Sequence, residues 1–395
     1  MKEFMNKKLW LIPTLLLWIF FSCQFQTSNP KTQIPLNLDL SGNKNLSTFT
    51  KSIHYLLLDD FDSIPLADSY KFIFSKKNIF VQDILTNSLH KFDRRGKALF
   101  VFKPSGEGPG EFIQMEDFQV FQDTLKILDR SLRKILTFAP NNKFLEEEKI
   151  PINSSAFLSV KNKELYFMDN VKDNSESNFI LYSGGQLIEE SVKIKKGFEN
   201  LHFGKHNTFT SNFDDGFVFS IPYTTDVVFF NKELDFEKLI SFDFGRYNYT
   251  DQEFLEKINI SRELTHLYAL ENNLVKDLSL FAKLGDFYIL TVIQSGKGIH
   301  YFFLDQDFNL ISQFNSINND LDQMRIRNIP WTIDQRKLVF AISSIEFYND
   351  YIEKFSGKKV EIKPGNIHDF FQKNQQKLRE DKTVMVSLEI KEEIK

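Results

Sequence analysis

The residues of this chain that could do chemistry are carboxylates in two patterns. Asp83 is followed at +6 by Leu89 and at +9 by Phe92; Asp129 is followed at the same offsets by Ile135 and Phe138. A carboxylate repeated in every unit could ring a central cation, or accept backbone hydrogen bonds at a recurring turn. A weaker third copy has Ile221, Val227 and Phe230 at these positions, and its missing Asp favours the turn. Glu107 and Glu111 stand in PSGEGPGEF, Pro104 to Phe112. That stretch places three Gly and two Pro in nine positions of a chain with 16 Gly and 11 Pro. A phosphate-cradling loop continues with Lys-Ser/Thr and a helix. Here Glu111-Phe112 and strand-like sequence follow, and two carboxylates repel phosphate. Gly permits positive φ and Pro fixes φ near about −65°. Gly106, Gly108, Pro109 and Gly110 are therefore expected to build a compact return loop, with Glu107 and Glu111, like Asp83 and Asp129, as candidates for a channel mouth or a turn. His202 and His206 are four apart, but Gly204 disfavours the helix that would aim both at a metal, and a third ligand is missing nearby. G-x-S-x-G and H-E-x-x-H are absent. No catalytic residue, metal or cofactor is expected.

The elements that must position these residues are short strands. Runs such as IFVQD (79–83), LKILD (125–129), ELYFMD (164–169), GFVFSI (216–221), DFYILTVI (286–293) and KLVFAI (337–342) alternate with polar turn clusters. Phe number 43, and aromatic side chains favour pleated, half-buried surfaces. One marker per unit, Phe80, Ile127, Tyr166, Phe217, Phe287 and Leu338, gives six units with gaps of 47, 39, 51, 70 and 51. Four-stranded propeller blades repeat every ~40–50 residues. The long gap holds Tyr249 to Leu278, whose helical spacing and cap candidates Thr250 and Asp251 indicate a helical insertion. The charged groups Arg94-Arg95, Arg130, Arg133-Lys134 and Glu146-Glu147-Glu148 read as solvated turns and faces.

The N-terminus reads as a secretory signal. Lys2, Lys7 and Lys8 precede LWLIPTLLLWIFF, residues 9–21. Thirteen helical residues reach only ~20 Å, short of a ~30 Å hydrocarbon core. Cys23, the only Cys, follows directly after Phe21-Ser22, so intrachain disulfides are excluded. Residues 24–45 are polar and read as a tether. The whole chain carries net charge −4, and about −6 without residues 1–22. With no basic block, nucleic acid is not an expected partner.

The run into Cys23 resembles the lipobox of bacterial lipoproteins, although Phe20 stands where Leu is usual. That resemblance implies cleavage before Cys23 and acylation there. The order strand, Asp, strand, turn, strand, then G-x-G-P-G-E-F resembles the six-bladed β-propeller lipoproteins of the Bacteroidetes group and, more distantly, NHL-repeat propellers. The stretch at 52–83, SIHYLLLDDFDSIPLADSYKFIFSKKNIFVQD, is similar to that family's opening. REDKTVMVSLEI at 379–390 is similar to its ending, with Asp381-Lys382-Thr383 where Asp-Asn-Pro is usual. The expectation is an all-β, six-bladed propeller at 50–392, with a helical insertion between blades four and five and helical segments in the last blade. A signal peptide at 1–22 and a flexible tether at 23–49 precede it. The strand near Ile53–Leu58 should share a blade with that near Val384–Ile390. The expected function is a binding module for a protein, small-molecule or glycan ligand. It would be lipid-anchored in the cell envelope, at the outer membrane, facing the periplasm or the surface. The alternative is a metal-dependent, lactonase-like hydrolase or lyase with its site in the central channel.

Overall fold

The computed structural model describes residues 31–103, 105–169, 175–199, 209–211, 216–248, 256–257, 261–326 and 329–394. Cys23, the signal segment, Pro104, Thr250, Asp251, His202 and His206 lie outside them. Six sheets form the blades, each with four antiparallel strands, consecutive in the chain in the first five. The sequence markers all fall in the second strand of a blade: Asn78–Asp83, Thr124–Asp129, Lys163–Phe167, Phe217–Ser220, Phe287–Gln294 and Lys337–Ser343.

Those strands are unbroken apolar runs because each blade is sandwiched between two others. In Asn78–Asp83 all six residues are buried. Side chains alternate across a strand. Phe80 therefore joins Phe118 and Ile127 in the core between blades one and two, while Ile79 and Val81 join Leu58, Val339 and Met385 in the core between blades six and one. Four further boundaries repeat this arrangement, so each blade interface has its own cluster. Outer strands face water on both sides, as in Phe144–Lys149, where five residues are exposed.

The last blade is made from both ends of the chain. Its strands are Thr332–Asp334, Lys337–Ser343, Thr383–Ile390 and, outermost, Thr50–Leu58. Leu57 lies opposite Val384, and Ser52 opposite Glu389, as the sequence led one to expect. The loop that continues into blade one is tied back by Lys382, whose ammonium lies 2.8 Å from the buried Asp60. Burial acts to lower the Lys382 pKa. Asp60, Asp59 and Asp62 outweigh it, and the net shift is upward.

Two sequence expectations need correction. The described part of the tether, from Lys31 on, is structured. Lys31–Pro35 adds a fifth, parallel strand to the edge of blade four. Ile34, Leu36 and Leu38 enter the core between blades four and five, and Leu46 and Phe49 that between blades five and six. These few apolar side chains, spread through polar sequence, are enough to lay the segment on the ring. The helical insertion also ends earlier than its spacing suggested. It forms a helix at Arg262–Glu271, capped by Ser261, whose Oγ accepts from the Leu264 amide at 3.1 Å. Leu278 instead lies in the strand Val275–Leu284. Further helices, Ser344–Phe355 and Ile367–Asn374, interrupt the last blade between its second and third strands.

The closing seam has a pH signature. Glu389 accepts from Ser52 Oγ at 2.8 Å and lies 3.3 Å from Lys51 Nζ and 3.4 Å from His54 Nε2. The Ser52 and Lys51 hydrogen bonds, then that of His54, hold its carboxyl down at about 2. An unfolded Glu titrates near ~4.3. The stabilisation is thus complete above that pH and is lost as pH falls through the folded value. Glu389→Gln should melt below the parent at neutral pH, and the gap should close between about pH 5 and pH 2. A gap of constant size down to pH 2 would rule this out.

Candidate functional site: the central cavity

The innermost strand of every blade borders a cavity of about 800 Å³ on the propeller axis. Each of these strands runs from the face carrying the blade-to-blade loops, here the loop face, to the face carrying the first hairpin turns, here the turn face. Blades two and three line the cavity near the turn face, with Gln119–Phe121 and Leu158 to Lys161; blade five lines it near the loop face, from Lys276 to Leu280. The walls are mainly apolar and aromatic, including Phe72, Phe74, Phe121, Leu158, Phe217 and Trp331. Trp331 packs against Phe72 with ring centroids 6.1 Å apart. At the turn-face rim, Phe121 is 65% exposed beside Lys161 and Lys232.

One buried ion pair fixes three blades around this space. Lys71 Nζ lies 2.6 Å from Asp117 Oδ1 and donates to the Phe118 carbonyl at 2.7 Å, while Asp117 Oδ2 accepts from the Phe157 amide at 3.1 Å. Blades one, two and three are thereby joined through two side chains. Burial pulls the Lys71 pKa down, and Asp117 partly opposes the shift. Next to it, burial and then the carboxylates of Asp117, Glu116, Asp277 and Asp169 push the Tyr70 phenol far above its ordinary range. Tyr70 is therefore a neutral hydrogen-bonding group in the cavity and no phenolate nucleophile.

The sequence-derived candidates lie elsewhere. Asp83 is fully buried and accepts from the Ala67, Asp68 and Thr86 amides. Asp129 repeats this with Ile113, Gln114 and Leu132. Each carboxylate clamps a hairpin turn to the loop entering its blade, which is the turn reading. Neither lines the cavity, so they build no carboxylate ring there. Glu107 and Glu111 do not line it either. Instead, Glu111 folds the loop on itself: its Oε2 accepts from the Gly108 amide at 3.0 Å, and its own amide donates to the Gly108 carbonyl at 3.0 Å. Phe112 anchors the loop in the core between blades one and two. Lys134, expected in solvent, is 3% exposed and reaches the carbonyls of Glu107 and Gly108 and, at 2.9 Å, Glu147.

The cavity residues themselves escaped the sequence reading. Their available signal was a polar or charged pair early in two of the first strands, Tyr70-Lys71 and Lys276-Asp277. Among the described residues, no three His, Cys, Asp or Glu side chains stand together as metal ligands.

With this geometry in place, the comparisons with known proteins give a class. Residues 24–341 match the family described as 6-bladed beta-propeller (DUF5128), and the chain belongs to that family. Among solved structures it is similar to an exported protein from Bacteroides fragilis, with 14% identity, a TM-score of 0.69, and coverage of 91% of this chain and 99% of that one. That likeness supports the fold alone. Weaker likenesses are a member of the DUF4221 family from Bacteroides vulgatus (10% identity, TM-score 0.45, 87% and 97% covered) and a virginiamycin B lyase from Staphylococcus aureus (10%, 0.39, 69% and 76%). Neither superposes well enough to carry an argument. No curated protein matches the chain in sequence.

The loop makes a ranked prediction. Gly110 has φ of +75°, and a Cβ there would sit 2.8 Å from the Phe144 ring. Gly108 has no positive φ, and its Cβ would meet only the flexible Glu111 carboxylate. Gly110→Val should cost on the order of 1–3 kcal/mol in thermal or urea melts. Gly108→Val should cost less, and Glu107→Gln close to nothing. A Gly110→Val variant that melts like the parent would remove the structural role of the loop.

Proposed function

We propose that this propeller is a lipid-anchored binding module of the cell envelope whose site is the central cavity. The observation that supports it is the cavity: about 800 Å³, walled by aromatic and aliphatic side chains, with a few polar groups such as Tyr70, Gln119, Thr210 and Ser279. Small-molecule sites have this size and composition. The ligand class is a molecule with an apolar body and few polar groups. The described lining residues include neither His nor Cys, and their carboxylates are Asp277, near the loop face, and Glu233, on a turn-face hairpin. The apolar walls favour the binding reading over the hydrolase or lyase reading. The anchor rests on the sequence at 1–23.

Trp331 is the only Trp after residue 18. In protein starting at Gln24 it reports on the cavity alone. Titration with 8-anilinonaphthalene-1-sulfonate should quench its emission saturably, and Trp331→Phe should keep the dye affinity while abolishing the quench. Binding that leaves Trp331 unaffected, or no saturable binding, would overturn the cavity site. For the anchor, Cys23→Ser in the full chain should leave it unprocessed or move it to the soluble fraction; unchanged size and membrane partition would contradict it.

A further inference from the structure

We infer that the turn face of the propeller, around the cavity mouth, is a docking surface for an anionic lipid bilayer. Three observations converge on that face. The first is chain direction. Lys31–Pro35 runs parallel to Phe236–Asp243, with Lys31 opposite Leu239. The last strand of blade four starts directly after the turn-face hairpin 231–235, so the N-terminal strand runs in the direction away from that side, joining it at mid-length. Cys23 precedes Lys31 by eight peptide steps, which span at most about 29 Å. An anchor on Cys23 is therefore compatible with the turn face of blade four lying close to the membrane. This step rests on the anchor proposed above.

The second observation is charge. The turn-face hairpins of blades one to three carry Lys76, Lys77, Arg94, Arg95, Lys97, Lys143 and Lys161 against Asp93 and Asp123, in a chain of net charge −4; those of blades four and five carry Glu233, Asp235, Asp286, Asp305 and Asp307, so the basic patch is confined to blades one to three. Arg94 pairs with Asp334 and Arg95 with Asp93. Asp123 is held by Ser75 and Asn78. Lys76, Lys77, Lys97, Lys143 and Lys161 are exposed. A basic patch on an acidic protein fits an anionic partner, and each Lys near an anionic membrane strengthens attachment about fivefold.

The third is Phe121. It ends the innermost strand of blade two at the cavity rim and is 65% exposed, between Asp123 on its own hairpin and Lys161 on the next blade. An exposed aromatic ring within a lysine-rich face is suited to enter the headgroup region while the lysines contact phosphates. The cavity mouth would then face the bilayer.

Flotation with phosphatidylcholine vesicles, with and without phosphatidylglycerol, tests the face directly. The protein starts at Gln24, which retains every described residue and lacks Cys23, so the result is independent of both lipidation and dye binding. Binding should require phosphatidylglycerol and weaken with added salt. Lys76→Gln, Lys77→Gln and Lys161→Gln together should lower the partition about a hundredfold, and Phe121→Ser should lower it further, with melting temperatures near the parent's. Lys358→Gln with Lys359→Gln, on the helical insertion of blade six, should change nothing. Absence of binding to anionic vesicles, or equal loss from the two sets of lysines, would overturn the assignment. So would a dimer that the turn-face substitutions dissolve while vesicle binding is absent.

Discussion

The ring depends on the antiparallel pairing of Thr50–Leu58 with Thr383–Ile390. Every hydrophobic cluster between blades is shared by two neighbours, so a ring with one open boundary would expose apolar surface on two blades at once. Pairing the ends also removes the free sheet edges of an open stack. The seam does more than join strands. Leu58, Val339 and Met385 on one side meet Phe72, Ile79 and Val81 on the other, and Lys382 ties the chain leaving the seam to Asp60. The added strand at Lys31–Pro35 and the buried Leu46 and Phe49 extend the hold of the N-terminal segment across blades four, five and six.

Closure is also what shapes the cavity. Two of the innermost strands are short in their described residues, Thr210–Ser211 and Thr332–Asp334, and the pairing described for them is slight. They keep their place because the second and third strands of the same blades are wedged between neighbours. At the opposite side of the axis, Lys71 and Asp117 do the equivalent by ionic and backbone contacts across three blades. A buried pair returns little net stability, since desolvating two charges offsets much of their attraction. Its geometric demand is nevertheless strict, which suits a residue pair at the wall of a binding space. The cavity thus has mainly apolar walls, Lys71 neutralised by Asp117 behind it, a neutral phenol, and a few further charged side chains such as Lys161, Lys232, Glu233, Lys276 and Asp277.

The second strands were legible because both of their faces are buried, which makes each an apolar run centred on one marker, from Phe80 to Leu338. The repeated Asp83 and Asp129 were legible as turns for the same reason: the amides they satisfy lie within the repeat. Only the first strands of blades one and two carried strand-like runs, at 71–74 and 116–121; most first strands were not legible. They border the cavity, so their polar residues break the pattern. The strand Val275–Leu284 was misread because bulges between Val275 and Asp277 and between Leu278 and Leu280 shift its register. Those shifts bring Val275, Leu278 and Phe281 to one core, and a spacing of three mimics a helix. Lys134 could not be placed from sequence, because its partners include backbone carbonyls 26 and 27 residues away.

Closure by the chain ends is the claim on which fold and cavity both rest, and native-state amide exchange measures it most directly. Backbone amides of 51–58 and 384–390 should exchange only through global unfolding, with the same free energy and denaturant dependence as the amides of 125–128 at the centre of blade two. If 51–58 instead opened in a separate, lower-energy step while blade two stayed protected, the seam would be an accessory to a ring that closes without it, and the account would be wrong.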